Sequence, residues 1–271
     1  MGNFTVDQAE GLRRMLGGAQ PRVFSVVSTQ QGSDKFSTLT NLCTSLTAAG
    51  SDVLLLDACA FGRGVAERLG QPRASLLDMA RGDVAFDEVV MQVPEGFSFC
   101  TLSGRDPFTT PGNLLEGELV RSFRELATRA GIIVIDTEVA ENGQFSLAAM
   151  HDGDIVIQVT PEPKSITDAY AAIKRLNAHS GRRPFGVLVT GATDAEAARI
   201  FSNMAKAASR YLAVSLDFIG SIPADAHLQR AAGLGRPVTD AFPLAGASVA
   251  FRRLAQRFAL ADSWHAAVQE S

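Results

Sequence analysis

The residues with the clearest chemical potential lie between the apolar run VFSVVS, at 23–28, and a helical pattern that begins near residue 36. Their connection reads STQQGSDKFSTLTNL and contains Gly32 and Lys35. A first parallel strand that leads into a helix is where open α/β sheets bind phosphate, because backbone amides and the helix dipole point at the anion. Taken alone, however, the connection is more simply an ordinary polar turn in an unrelated Rossmann-like fold.

The elements that would position this connection follow from the wider pattern. Short β-branched runs alternate with helical patterns, which predicts βα units in a parallel sheet. Several runs are apolar at every position, so helices must cover both faces of the sheet. No linker rich in Pro, Gly or Ser divides the chain, which predicts one doubly wound, mostly parallel α/β domain at 21–271 and an appendage at 1–20. The predicted strands are 23–28, 53–57, 97–101, 132–136, 154–159, 185–190 and 216–220. The predicted helices are 36–49, 75–80, 115–130, 165–179, 194–211, 226–232 and 246–260.

Composition narrows the class of protein. The net charge of −4 and the pI of about 5.6 give no electrostatic footprint for direct binding to nucleic acid. Cys43, Cys59 and Cys100 lie in apolar stretches, which indicates buried thiols. The four histidines lack metal-ligand spacing, so no metal site is expected. No apolar run approaches the ~18 residues of a membrane span, and the first twenty residues are too polar for a signal peptide, so we expect a cytoplasmic protein.

The connection after the first strand resembles the deviant Walker A loop of the MinD/ParA family of P-loop ATPases. That loop has the pattern GKGGxGKT, and Thr29 to Phe36 fall on its eight positions. Two further runs, LLLDACAFGRG and DTEVA, resemble the LLLDADxGxxN and DxPAG segments of the family. The resemblance implies a P-loop NTPase fold with a vestigial nucleotide and Mg²⁺ site. Its residues would be Gly32, Lys35, Ser37, Asp57 and Asp136.

Departures from the family pattern argue against hydrolysis. Asp34 stands where a glycine lets the backbone approach phosphate, and it adds a negative charge. Phe36 takes the position of the Mg²⁺-binding hydroxyl, and the side chain of Ser37 is turned by about 100° on a helix. Gln30 replaces the lysine that reaches a dimer partner's nucleotide, and Cys59 replaces the aspartate that positions the attacking water. These changes predict a largely monomeric pseudo-ATPase that requires no cofactor, with weak ATP or ADP binding left open.

The second half of the chain resembles one branch of the family more specifically. The run TPEPKSITDAYAAIK at 160–174 is similar to a segment of the FlhG group, also called FleN or YlxH, and predicts that Ser165 caps a helix from Ile166. The run from 219 to 258 is similar to the end of the same group, so the resemblance covers about 5–260. It implies a regulator of flagellar number and placement, recruited to the cell pole or flagellar base. Flagellar switch proteins and a flagellar transcription activator are the implied partners of its body.

An N-terminal helix is predicted at 5–16, where Thr5 and Gln8 fit a capping box. Its run DQAEGLRRML is similar to the DQAxxLR helix of the FlhG group, which docks on the GTPase FlhF and stimulates GTP hydrolysis. Gln8 is the candidate that orients the attacking water in the partner's site. A frayed terminal helix is the alternative. The implied partner-binding residues are Asp7, Gln8, Leu12, Arg13 and Leu16.

Two other functions stay open at this point. One is an active MinD-type ATPase that cycles between a monomer and a membrane-bound dimer, and the other is a ParA-type DNA-partitioning protein. In the last helix Phe251, Leu254 and Phe258 share one face, which predicts a core helix that closes the sheet and only weak or indirect membrane association. The basic residues that DNA binding would require are Arg182, Arg183, Arg252, Arg253 and Arg257.

Overall fold

The computed structural model describes residues 21–29, 33–59, 63–103 and 113–260, and the predicted helix at 5–16 lies outside them. The strands are β1 (Arg22–Ser28), β2 (Val53–Asp57), β3 (Met91–Gln92), β4 (Ser98–Thr101), β5 (Ile132–Thr137), β6 (Asp154–Val159), β7 (Phe185–Thr190) and β8 (Leu216–Ile222). The helices are α1 (Ser33–Ala48), α2 (Ala66–Leu69), α3 (Leu76–Ala80), α4 (Phe86–Val89), α5 (Asn113–Ala127), α6 (Pro163–Ser180), α7 (Asp194–Leu212), α8 (Ala226–Gly233), α9 (Val238–Ala241) and α10 (Gly246–Leu260). A 3₁₀ turn covers Ala148–His151.

The strands form one sheet in the order β3-β4-β2-β5-β1-β6-β7-β8. Every neighbouring pair is parallel except β3 with β4, so the predicted doubly wound, mostly parallel sheet is confirmed. The antiparallel edge strand β3 was not predicted. It has two residues, which is too short for a period of two to stand out in the sequence.

Helices cover both faces of the sheet, as the continuously apolar strands predicted. In β2, Leu54 and Leu56 belong to the core under α5 and α6, whereas Val53 and Leu55 belong to the core under α1 and α10. Alternate side chains of a strand point to opposite faces, so each face needs its own apolar set. In open α/β sheets ligands bind outside the carboxyl ends of the strands, so these ends are where a functional site is expected.

Helix α10 closes one face of the sheet. Its Phe251, Leu254 and Phe258 are all buried, which confirms the prediction of a core helix. The ring of Phe258 lies 4.5 Å from that of Phe24 in the central strand β1, measured between centroids. Within the described residues, no helix combines the length and apolar composition that a bilayer span requires.

Helix α6 begins earlier than predicted, at Pro163, with Glu162 as its N-cap residue. The prediction that Ser165 caps a helix from Ile166 is therefore wrong. Proline suits the first helical position because an N–H group there would have no hydrogen-bond acceptor within the helix. The hydroxyl of Ser165 instead accepts a hydrogen bond from the amide of Thr160, at 2.8 Å, and bonds the hydroxyl of Thr29 beside the end of β1.

Candidate functional site at the carboxyl ends of the strands

The two predicted aspartates meet at the carboxyl ends of adjacent strands. Asp57 ends β2, Asp136 lies near the end of β5, and the two residues are register partners. Cys59 follows β2 directly, and one ligand atom from each of these three residues lies within 4.8 Å of the others. Parallel strands end at the same edge of a sheet, so the fold alone brings two carboxyl groups and a thiol together.

The ammonium group of Lys35 occupies the centre of this cluster. Its Nζ lies 2.8 Å from Asp136 Oδ1 and donates to Cys59 Sγ at 3.2 Å and to the carbonyl oxygen of Arg63 at 3.0 Å. The side chain of Lys35 is 5% exposed and that of Asp136 is fully buried. The lysine of the predicted phosphate loop is thus engaged by groups of its own chain.

The segment that leads into α2 covers the remaining carboxylate oxygens. The amide of Ala66 donates to Asp57 Oδ2 at 2.7 Å, and the amide of Val65 donates to Asp136 Oδ2 at 3.2 Å. A Cβ atom at Gly64 would lie 2.0 Å from Asp57 Oδ1, so only glycine permits this close approach. Asp57 Oδ1 itself accepts from the amide of Cys59 at 3.0 Å, so each oxygen of both carboxyl groups has a partner.

The rim of the site is closed as well. Arg63 Nε lies 2.9 Å from Glu138 Oε1, which joins the segment before α2 to the loop after β5. The guanidinium of Arg68 lies 5.5 Å from the ring centroid of Phe36. Among the described residues, the space left beside Lys35 and Phe36 measures about 10 Å³, which is about one water molecule.

Burial sets the protonation of the cluster. It lowers the pKa of Lys35, but Asp136 and Cys59 raise it more, so the net pKa lies above the ordinary value. Burial raises the pKa of Asp136 to about 7, although Lys35 opposes the shift. Burial also raises the pKa of Asp57, opposed by the amides that its carboxylate accepts, and places the pKa of Cys59 well above its ordinary value. At neutral pH the site therefore holds the ammonium group of Lys35 and the protonated thiol of Cys59. The carboxyl groups of Asp57 and Asp136 both interact with the positive charge of Lys35.

Solved structures of other proteins share this fold. MinD of Aquifex aeolicus matches with a TM-score of 0.64, covering 89% of this chain and 98% of its own at 22% identity. A ParA family ATPase from Chlorobium tepidum matches with a TM-score of 0.62, covering 88% and 99% at 16% identity. No family model matches the sequence. These matches show that the chain has the α/β fold of the MinD and ParA proteins.

A sequence relative narrows the class further. Antiactivator FleN of Pseudomonas aeruginosa is 30% identical over 255 residues, which cover 93% of this chain and 90% of FleN. The chain therefore belongs to the FleN family. The resemblance to this family inferred from the sequence is confirmed.

Of the predicted nucleotide-site residues, the structure brings together Lys35, Asp57 and Asp136 but not Ser37. The hydroxyl of Ser37 accepts from Asn41 Nδ2 at 3.4 Å, on the side of α1 where Asn41 Oδ1 accepts the amide of Val238. Ser37 thus lies on the side of α1 that meets α9 and α10. It follows by one residue the position at which the family carries its Mg²⁺-binding hydroxyl, so its side chain points in a different direction. The predicted residues Gln30 and Gly32, and the partner-binding set at 7–16, lie outside the described residues.

Sequence reasoning missed the segment at 63–66 and its partner Glu138. Its contacts are made largely by backbone amides, which any residue type carries, so no side chain marks them in the sequence. Gly64 was the one local signal, because a glycine after a strand often permits a close backbone approach. The pairing of Arg63 with Glu138 depends on two loops that only the sheet brings together.

The described residues do not fit Mg²⁺ in this arrangement. Magnesium requires octahedral oxygen ligands at short distances and keeps several waters, whereas each carboxyl oxygen here is already engaged by an amide or by Lys35. Cys59 adds a sulfur, and Phe36 offers no hydroxyl. We therefore derive no step of chemistry through a metal or a nucleotide at this site.

The raised pKa of Asp136 predicts a pH-dependent stability. The folded chain binds a proton at Asp136 more tightly than the unfolded chain, so this stability is complete below about pH 4 and is lost as the pH rises through about 7. As the pH rises from about 4 to 8, the stability of the wild type should therefore fall relative to that of the Asp136→Asn variant, by an amount on the order of a few kcal/mol. Urea unfolding at several pH values measures this difference. The exposed variant Asp240→Asn is the control, and an Asp136→Asn offset that stays constant with pH would contradict the assignment.

Proposed function

We propose that this chain is a FleN-type regulator that acts by binding partner proteins and does not hydrolyse ATP. The ion pair between Lys35 and Asp136 carries the proposal. In P-loops the lysine side chain reaches the phosphates of the nucleotide. Here the same side chain is directed into the core and neutralises a carboxylate of its own chain.

The chemistry of the cluster supports this proposal. Hydrolysis needs a group that orients the attacking water, and in the MinD/ParA pattern an aspartate fills that position. Cys59 is a buried thiol with a strongly raised pKa, so it offers neither a carboxylate nor a base at neutral pH. The ring of Phe36 and the guanidinium of Arg68 stand beside the lysine where phosphate would need to enter.

The partners follow from the relative and from the N-terminal resemblance. FleN of Pseudomonas aeruginosa is named an antiactivator, so we propose that this chain restrains a transcription activator of flagellar genes. We further propose that residues 1–20 bind an FlhF-like GTPase and stimulate it through Gln8, while the body contacts flagellar switch proteins at the flagellar base. Neither role needs a nucleotide-driven dimer, and we propose that the chain works as a monomer.

DNA partitioning is the weaker candidate, because two of its candidate arginines are already engaged. The guanidinium of Arg183 donates to the carbonyl oxygens of His151 and Gly153 and is half-buried. Arg252 donates to the carbonyl oxygen of Pro243 at 2.7 Å. These side chains stabilise loops of the fold and are less available to phosphates.

The purified protein should release phosphate from Mg-ATP no faster than the buffer does and should stay monomeric in its presence. A phosphate-release assay and light scattering measure the two properties. The matched variant carries family residues in the loop, with Gln30→Lys, Gln31→Gly, Asp34→Gly and Phe36→Thr. It should regain ATP binding, which calorimetry measures, but it should hydrolyse ATP only when Cys59→Asp is added. Robust turnover by the wild type would instead establish the active ATPase.

A further inference from the structure

A cavity of about 350 Å³ lies at the opposite edge of the sheet from the candidate site, where β2 and β4 begin. Its apolar wall includes Leu54 from β2, Phe86 and Val90 beside α4, and Leu126 from α5, which belong to one core. Val53 also lines the cavity, but its side chain belongs to the core on the other face of the sheet. Val53, Leu54 and Leu126 are buried, whereas Phe86 and Val90 are half-buried and form the mouth. This volume falls in the range of pockets that bind ligands or side chains of a partner.

The rim of the cavity carries both signs of charge. The guanidinium of Arg129 lies 3.7 Å from the ring centroid of Phe86, and Asp52 stands on the side of β2. Within the wall, the hydroxyl of Thr47 is covered from solvent and has no hydrogen-bond partner in the described structure. An apolar floor with a mixed, polar rim suits the apolar face of an amphipathic helix.

The N-terminus of the chain joins the fold close to this cavity. The amide of Arg22 donates to the carbonyl of Gly131 at 3.0 Å, and the amide of Gly131 donates to the carbonyl of Asp52 at 2.8 Å. Asp52 and the neighbouring Ala130 line the cavity. Only β5 separates β1 from β2, so the start of β1 lies about 10 Å from the start of β2, at about 4.8 Å per strand. Residue 21, to which residues 1–20 connect, therefore lies beside the cavity.

The sequence of this segment matches what the cavity can receive. With about 100° per residue on a helix, Gln8, Ala9, Leu12 and Leu16 fall on one stripe, and Glu10 falls on the opposite face. Residues 17–20 can span up to about 14 Å, which exceeds the distance to the cavity. We propose that residues 5–16 of this chain dock in the cavity as a helix, with Leu12 and Leu16 against its apolar wall.

Docking in this orientation covers Gln8, because Gln8 lies one turn before Leu12 on the same stripe. The segment would then be withheld from a partner until it is released from the cavity. This consequence rests on the proposed function of Gln8, whereas the docking itself does not.

Hydrogen exchange of the full-length chain, read by mass spectrometry, tests the docking. In the Leu12→Asp/Leu16→Asp variant, amides at 47–54 and 126–130 should exchange at least about tenfold faster than in the wild type, because the wall loses its cover. Glu10→Gln, on the opposite face of the helix, is the matched control and should exchange like the wild type. A change in the cavity itself gives the complementary test. Ala130→Trp should fill the cavity, displace the segment and speed hydrogen exchange at 5–16 by a similar factor. Val90→Phe is the second filling variant if Ala130→Trp fails to fold.

Equal exchange at the cavity in the wild type and the Leu12→Asp/Leu16→Asp variant would overturn the docking. Protection that grows with protein concentration would overturn it too, because a second copy would then fill the cavity. A GTPase assay with the Ala130→Trp variant, in which the segment is released, separates this proposal from the proposed function. Stimulation by this variant, without protection at the cavity in the wild type, leaves the proposed function standing and removes the docking. Protection in the wild type, without stimulation by this variant, leaves the docking standing and removes the proposed function.

Discussion

Lys35→Met is expected to lower the free energy of unfolding by about 3–5 kcal/mol at pH 8, where Asp136 is ionised. The variant leaves Asp57 and Asp136 buried side by side without a neutralising cation. Neither carboxyl group can reach water, because Asp136 is fully buried and the segment at 63–66 covers Asp57. Urea unfolding followed by circular dichroism measures the loss.

A double variant tests whether the loss comes from the ion pair. Lys35→Met combined with Asp136→Leu removes both charges, so it should recover part of the stability and give a coupling energy of about 2–3 kcal/mol. Lys164→Met breaks the exposed ion pair with Asp168 and is the matched control, with an expected loss below about 1 kcal/mol. Additive losses from the two buried changes would contradict a direct role of Lys35 as the counterion of Asp136.

The second large effect concerns the proposed GTPase partner. A peptide of residues 1–20 should accelerate GTP hydrolysis by the cognate FlhF, and Gln8→Ala should reduce that acceleration by at least about tenfold, because the amide orients the attacking water. Leu12→Ala should instead weaken binding, since its side chain supplies apolar contact. Single-turnover hydrolysis at saturating peptide, together with a titration of affinity, separates rate from binding.

Two outcomes would change this assignment. Equal losses of affinity from Gln8→Ala and Leu12→Ala, with no change in the saturated rate, would make Gln8 a docking contact. No stimulation by either the peptide or the whole protein would remove FlhF as the partner. Glu10→Ala, which lies on the face opposite Gln8 and Leu12, is the control and should leave both quantities near the wild type.

The closed site has a consequence for regulation. A MinD-type switch depends on a nucleotide that binds one conformation better than another, and a ligand can shift an equilibrium only through such a difference. In this chain Lys35 and the amides of 63–66 already supply the contacts to Asp57 and Asp136. We therefore expect partner availability, and not the nucleotide, to set the activity of the proposed regulator.

Much of the fold was determined by the sequence alone. The runs in β2, β5 and β6 are apolar over nearly their whole length, and such a run requires helices on both faces wherever it lies. The same holds for α10, where Phe251 and Phe258 recur at helical spacing and are buried as predicted. Family membership was also determined locally, because motif spacing survives where the motif residues themselves have changed.

Only the tertiary structure decided what the candidate site has become. The sequence shows that Lys35 is present but not that its side chain turns inward, since a lysine in a phosphate loop and a lysine in an ion pair are the same residue type. Its direction depends on Asp136, which lies in a strand that the sheet places beside β1 and β2. The closure by Val65 and Ala66 is made by backbone amides, which have no signature in the sequence. The spacing of apolar residues within one segment predicts which of its side chains are buried. The partner of a buried charge depends instead on contacts between segments that are distant in the sequence.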